Sequence, residues 1–176
     1  MRLAPLPAEQ WDDAVDHALA QILPAERRDP AGAGNALATL VRHPELTRAF
    51  LRFNGYLLYG SSLPPRLREL AILRVAHRRG STYEWVHHVE IAHRAGLTDD
   101  EIAAVQTGEA ADPFDRMALA AVDELEDKSQ LTDATWAALS ERLDERQRMD
   151  FVFTVGCYGL LAMAFNTFGV EPEHER

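Results

Sequence analysis

An all-α fold follows from three features of the sequence. Apolar residues recur at helical spacing through most of the chain after its first few residues. The breaks between these segments carry residues that start or stop helices, such as Asp112-Pro113 and Gly96. Nothing in the chain resembles a strand-rich domain.

The first helix is expected over Trp11 to Leu23, ended by Pro24 and the polar stretch Glu26 to Asp29. A loop rich in Ala and Gly leads to Asn35, and helical pattern resumes through Leu37, Leu40 and Val41. His43-Pro44 breaks that segment, because a residue before proline disfavours the α region. Leu46 to Tyr59 reads as the next helix, whose Phe53, Tyr56 and Tyr59 either wall a site or, as is usual at such spacing, face the core. Gly60-Ser61-Ser62 and Pro64-Pro65 mark a connection, and a strongly apolar helix runs from Arg66 to His77, stopped by Gly80. Another spans Thr82 to Ala95 and stops at Gly96. Thr98-Asp99-Asp100-Glu101 is a capping box for a short helix. Asp112-Pro113 opens a helix reaching Asp127, Thr132 or Asp133 starts another, and Glu145 to Phe168 makes the last.

Bulk properties narrow the function classes. A chain of 176 residues and 19.7 kDa fits one domain over 1–176, able to bury a core without disulfides or structural metal. The formal net charge of −10 repels phosphate backbones, so no nucleic-acid partner is expected. Arg66, Arg68, Arg74, Arg78 and Arg79 lie close in sequence, but they point several ways around a helix and read as a solvated or interface surface. Cys157 is the only cysteine, which rules out a disulfide within one chain and suits a reducing cytoplasm. The opening MRLAPLPAEQWDD has an acidic pair where an export signal needs an apolar run. Phe151 to Val170 is uncharged and long enough to cross a bilayer, but small and polar residues such as Thr154, Gly156 and Asn166 dilute it. It reads as a buried central or subunit-interface helix, with no membrane partner.

The chemistry concentrates on one helix. At 100° per residue Glu84, Trp85, His88, Ile91, Ala92 and Ala95 share an arc, so an apolar face carries a carboxylate and an imidazole one turn apart. Glu69 poses the same puzzle on the preceding helix, flanked by Ile72, Leu73 and Ala76. Burial raises a carboxyl pKa and a neighbouring imidazolium lowers it, so a Glu/Glu/His cluster suits a proton moved between donor and acceptor. Each residue also has a plainer role: Ser81-x-x-Glu84 is a capping-box pattern, His88 fits a satisfied core histidine, and Glu69 has Arg68 or Arg74 as ion-pair partners.

The stretch 66–76, ArgLeuArgGluLeuAlaIleLeuArgValAla, is followed by Gly80-Ser81-x-Tyr83-Glu84-Trp85-x-x-His88 and Ala95-Gly96-Leu97. Together, over about residues 53–106, they resemble the signature of the carboxymuconolactone decarboxylase and alkylhydroperoxidase D superfamily. The resemblance implies a helical domain with antiparallel helix pairs and no significant sheet, and a homo-oligomer, trimer or hexamer. In the alkylhydroperoxidase D branch the corresponding helix begins Cys-x-x-Cys-x-x-x-His. Counting back from Gly96 puts His88 at the family histidine, Glu84 and Ser81 at the two cysteines, and Glu69 at the proton-relay glutamate. Without those thiols, a thiolate attack on peroxide has no nucleophile at this place.

The leading expectation is a lyase or isomerase acting on a small organic acid or lactone without cofactor. Glu69, Glu84 and His88 are its catalytic candidates, and Ser81, Tyr83 and Trp85 shape its substrate site. A peroxidase using Cys157 with an outside thiol is the alternative, and a non-catalytic oligomeric binding protein the third. Glu84 and His88 at i, i+4 also have metal-ligand spacing, with Glu69 as a third ligand, although no bound metal is expected.

Overall fold

The computed structural model describes residues 2–173 and contains nine α-helices and no strand among them. They are α1 (Asp13–Leu19), α2 (Pro30–Leu40), α3 (Pro44–Gly55), α4 (Pro65–Arg78), α5 (Thr82–Arg94), α6 (Asp99–Thr107), α7 (Pro113–Lys128), α8 (Asp133–Ser140) and α9 (Glu145–Phe168). The chain forms two compact units, residues 2–60 with 165–173, and residues 61–164.

In the first unit Leu6, Val15, Leu19, Val41 and Leu51 make a small apolar core, with Trp11 and Phe50 packed against it. Helix α1 is shorter than its apolar pattern implies. Asp12 caps it by accepting from the amides of Ala14 and Val15, which leaves Trp11 outside, its indole donating to the Leu6 carbonyl. The expected Ala/Gly loop is largely helical, because Asp29 caps and Pro30 fills the first position of α2. Gly34, at φ 74°, kinks the helix just before Asn35. Phe53, Tyr56 and Tyr59 are exposed, contrary to the expected core stripe. From Tyr56 to Gly60 the chain continues α3 as a π-turn, whose larger number of residues per turn breaks the phase of the stripe at Tyr59; Phe53 lies before it, on the outer face of α3.

The second unit is built around α4, which packs on α5, α6 and α7. Glu69 to Ala76 are all buried, so this helix has no solvent face over two turns, and its charged residues must find partners inside. The arginines of this region are consequently paired with carboxylates: Arg74 is buried, Arg66, Arg68 and Arg79 are partly covered, and Arg78 stays exposed. Arg66 grips Asp115 (2.8 and 2.6 Å), Arg74 grips Asp123 (2.7 and 2.7 Å), and Arg78 reaches Asp127. Each of these pairs is 49 residues apart. A constant separation arises only between helices running in the same direction, so α4 and α7 form a parallel pair. Helices α4 and α5, joined by a tight turn at Gly80, are antiparallel: Glu69 meets His88 and His77 meets Trp85. Arg74 also donates to the Val105 and Gln106 carbonyls at the end of α6, at 2.6 and 2.8 Å. A Cβ on Gly108 would sit 3.2 Å from that guanidinium, and its φ of 81° favours glycine as well.

Helix α9 alone among the described residues is long and apolar enough to cross a membrane by length and composition, and half of its apolar window is buried inside the protein.

Candidate active site

Glu69, on the central helix, is fully buried, and each of its oxygens has a partner. Oε2 lies 2.7 Å from His88 Nδ1, and Oε1 accepts from Arg68 Nε at 2.9 Å. Both plainer readings of these residues are thus realised together with the pairing expected for chemistry. His88, 8% exposed, sits on the inward side of α5, and the ring of Tyr158 from α9 meets it edge-on with centroids 4.9 Å apart. With Glu69 accepting from an Nδ1–H, Nε2 is left to take or give a proton.

Glu84 occupies the same inward line one turn earlier and is 2% exposed. Neither of its oxygens has a hydrogen-bond partner, and neither does Ser81 Oγ, which is equally sealed from solvent. The capping box is therefore not formed, although Ser81 is the N-cap residue. Burial pushes the Glu84 carboxyl up to about 7, against the opposing influence of the Ser81 hydroxyl and the Arg79 charge. Ser81 is near enough to favour the ionised form, but the two groups fall short of hydrogen-bond geometry. Glu84 bonds to neither Glu69 nor His88, so the centre is a Glu69–His88 pair with a separate carboxyl beside it rather than a bonded triad.

The buried arc of α5 is narrower than its sequence implies: Glu84, His88 and Ala92 are buried, while Trp85, Ile91 and Ala95 are at its margin. Trp85 and Ser81 help line a groove of about 200 Å³, with His77, Thr82 and Gln106. Tyr83 lies elsewhere, stacked on His87 at 4.1 Å, and does not line this groove. Among the described residues no three His, Cys, Asp or Glu side chains are grouped to hold a metal ion, so Glu69, Glu84 and His88 do not form the ligand set that their spacing allowed. Tyr158 was not foreseen, since nothing in an uncharged helix seventy positions away marks it as a neighbour of His88.

A family model, the carboxymuconolactone decarboxylase family, matches residues 44–127, a wider span than the signature at about residues 53–106. No curated protein matches the chain by sequence. Among solved structures, the alkylhydroperoxidase AhpD core of an uncharacterized peroxidase-related protein from Ralstonia eutropha JMP134 superposes with a TM-score of 0.75. It is 20% identical, over 98% of this chain and 94% of that one. The debrominase Bmp8, in complex with 2,3,4-tribromopyrrole, gives 0.73 at 17% identity over 98% and 92%. An uncharacterized peroxidase-related protein from Silicibacter sp. TM1040 gives 0.71 at 15% identity over 98% and 93%. The chain thus matches the carboxymuconolactone decarboxylase family model over just under half of its length, and its fold is that of the AhpD-like structures.

Proposed function

We propose that this protein is an acid–base enzyme of the carboxy-lyase or isomerase class, acting on a small organic acid or lactone. The observation that carries this reading is the buried Glu69–His88 contact of 2.7 Å beside Glu84, a carboxyl with no bonding partner and a pKa near neutrality. An imidazole oriented by a carboxylate and a separate carboxyl raised by burial are the equipment of general acid–base catalysis near pH 7. Arg68 and His88 each hold one oxygen of Glu69, Glu69 orients the imidazole, and His88 Nε2 exchanges the proton. In a decarboxylation the carboxylate leaves as carbon dioxide, its bonding electrons remain on carbon as an enolate, and a proton from His88 or Glu84 completes the product. Solvent restores that proton.

The test is turnover of a panel of small carboxylic acids and lactones, followed by carbon dioxide release and by proton exchange at carbon. The panel includes 2,3,4-tribromopyrrole, the ligand of the debrominase neighbour. Once a substrate is found, His88→Ala is expected to lower kcat by about 10²–10⁴-fold and Glu69→Gln by a smaller factor. Full activity of a folded His88→Ala protein removes the reading.

Peroxidase chemistry through Cys157 has less support, despite the likeness to peroxidase-related proteins. The thiol is 5% exposed, and the chain has no second cysteine to resolve a sulfenic acid. Hydroperoxide consumption with a dithiol reductant, lost in Cys157→Ser, would restore it.

A further inference from the structure

Arg79 ends α4 and Ser81 caps α5, so Arg79 belongs to the turn that leads into Glu84. Its guanidinium is held by two further helices. Glu126 of α7 accepts from Nε at 2.5 Å and from Nη2 at 3.0 Å. The Glu126 side chain is 9% exposed, so this is no solvent-screened surface contact. Gly159 of α9 supplies the second hold: a Cβ there would stand 3.2 Å from Nε and Nη2 and 3.3 Å from Cζ. Three near-equal distances mean that the flat guanidinium lies against bare helix backbone. Glycine weakens a helix interior relative to alanine, and this seat gives Gly159 a reason. The residue before it, Tyr158, meets His88, so consecutive positions of α9 touch the histidine and the arginine.

We propose that Arg79 is a positioning residue of this site: Glu126 and Gly159 fix its positive charge beside Glu84 without a bond to it, and that charge stabilises the carboxylate left when Glu84 gives up its proton. This role rests on Glu84 being a proton carrier of the proposed acid–base enzyme. A buried carboxyl with no bonding partner keeps its proton too firmly to hand it on, because burial disfavours the ionised form. A guanidinium bonded to it would err the other way and hold it ionised. A charge tethered elsewhere gives the intermediate case. Glu126 engages Nε and Nη2, no hydrogen bond reaches Glu84, and the Arg79 charge still draws that carboxyl below the level that burial alone would set.

The other ionisable groups around this end of the hairpin have their own contacts. Glu69 is bonded to His88 and Arg68, His77 packs on Trp85, and Tyr158 packs on His88. From α6 the neighbour of the Ser81 end is Gln106, which carries no charge.

The test follows the carbonyl band of protonated Glu84 by infrared spectroscopy of the full chain across neutral pH, the band being assigned by its loss in Glu84→Gln. Arg79→Met removes the charge and is expected to raise the proton affinity of Glu84 at least about threefold. Glu126→Gln keeps the charge but removes its counter-ion, and is expected to lower that affinity at least about twofold. Arg79→Lys is expected to stay closer to the wild type than Arg79→Met does. The first two variants break the same ion pair, so a merely structural role would move Glu84 the same way in both, or in neither. Opposite movements support the proposal; movement in one direction, or none, overturns it. If Arg79→Met does not fold, Glu126→Gln decides, and an unchanged or raised affinity there overturns the proposal. No substrate enters these titrations. Opposite movements in a protein that turns over none of the acids and lactones would sink the enzyme reading and leave the tuned carboxyl standing.

Discussion

Glu84 carries the sharpest consequence of burial on a single group. Its carboxyl titrates near 7 in the folded protein and at its ordinary 4.5 when exposed. Between those values the folded state binds more protons than the unfolded one, so this group's contribution is fully present below pH 4.5 and is lost as pH rises through 7. The loss amounts to about 3 kcal/mol. Glu84→Gln is therefore expected to flatten the stability profile and to be more stable than the wild type above pH 7. Urea midpoints of both proteins at pH 5 and pH 8 check this, and equal slopes would show that burial does not hold the proton. Helical periodicity alone placed Glu84 and His88 on one inward line, and local spacing was enough for that. The partners on other helices were less accessible. Arg68 was legible as a neighbour of Glu69 in sequence, whereas Tyr158 belongs to a contact that only the tertiary fold creates.

Among the elements, α4 shows how a charged sequence makes a buried helix. The Arg74 guanidinium satisfies both oxygens of Asp123 and two carbonyls that α6 leaves open at its end. Arg74→Ala strands all of these and is expected to destabilise the protein by about 3–5 kcal/mol. Arg74→Lys should recover only part, since an ammonium cannot reproduce the planar fork. Chemical denaturation of both variants measures the difference, and a loss below 1 kcal/mol for Arg74→Ala would contradict this account. The same contacts explain why Arg74 was misread: its charge suggests water, and only a helix covered on all sides at this point reveals that it has a buried carboxylate partner. The capping patterns divide in a similar way. Thr98 and Glu101 form their box on the surface, with both reciprocal hydrogen bonds present. Ser81 and Glu84 have the same spacing but do not close, because Glu84 is drawn into the interior instead. Local sequence sets the motif, and tertiary burial decides its use.

Across the molecule, burial predicts where the structure opens first. Helix α4 is buried from Glu69 to Ala76, while α8 buries Leu139 alone. Native-state hydrogen exchange is expected to be slowest in α4 and fast throughout α8. The reverse order would mean that side-chain burial does not govern opening here. The all-helical class was readable because each helix of the second unit carries its own start or stop signal, as Asp112-Pro113 does for α7. The π-turn at Tyr56 to Gly60 was not, since three aromatics at near-helical spacing look alike on either winding.

Parallel pairing of α4 with α7 also governs the order in which a nascent chain can mature. Arg74 leaves the ribosome 49 residues before its carboxylate partner does. Until Asp123 follows, a docked α4 would hold an uncompensated guanidinium, so the His88-bearing hairpin consolidates only once α7 has been translated. Synthesis paused within α6 is expected to leave that hairpin open to added protease, and synthesis paused beyond α7 to leave it protected.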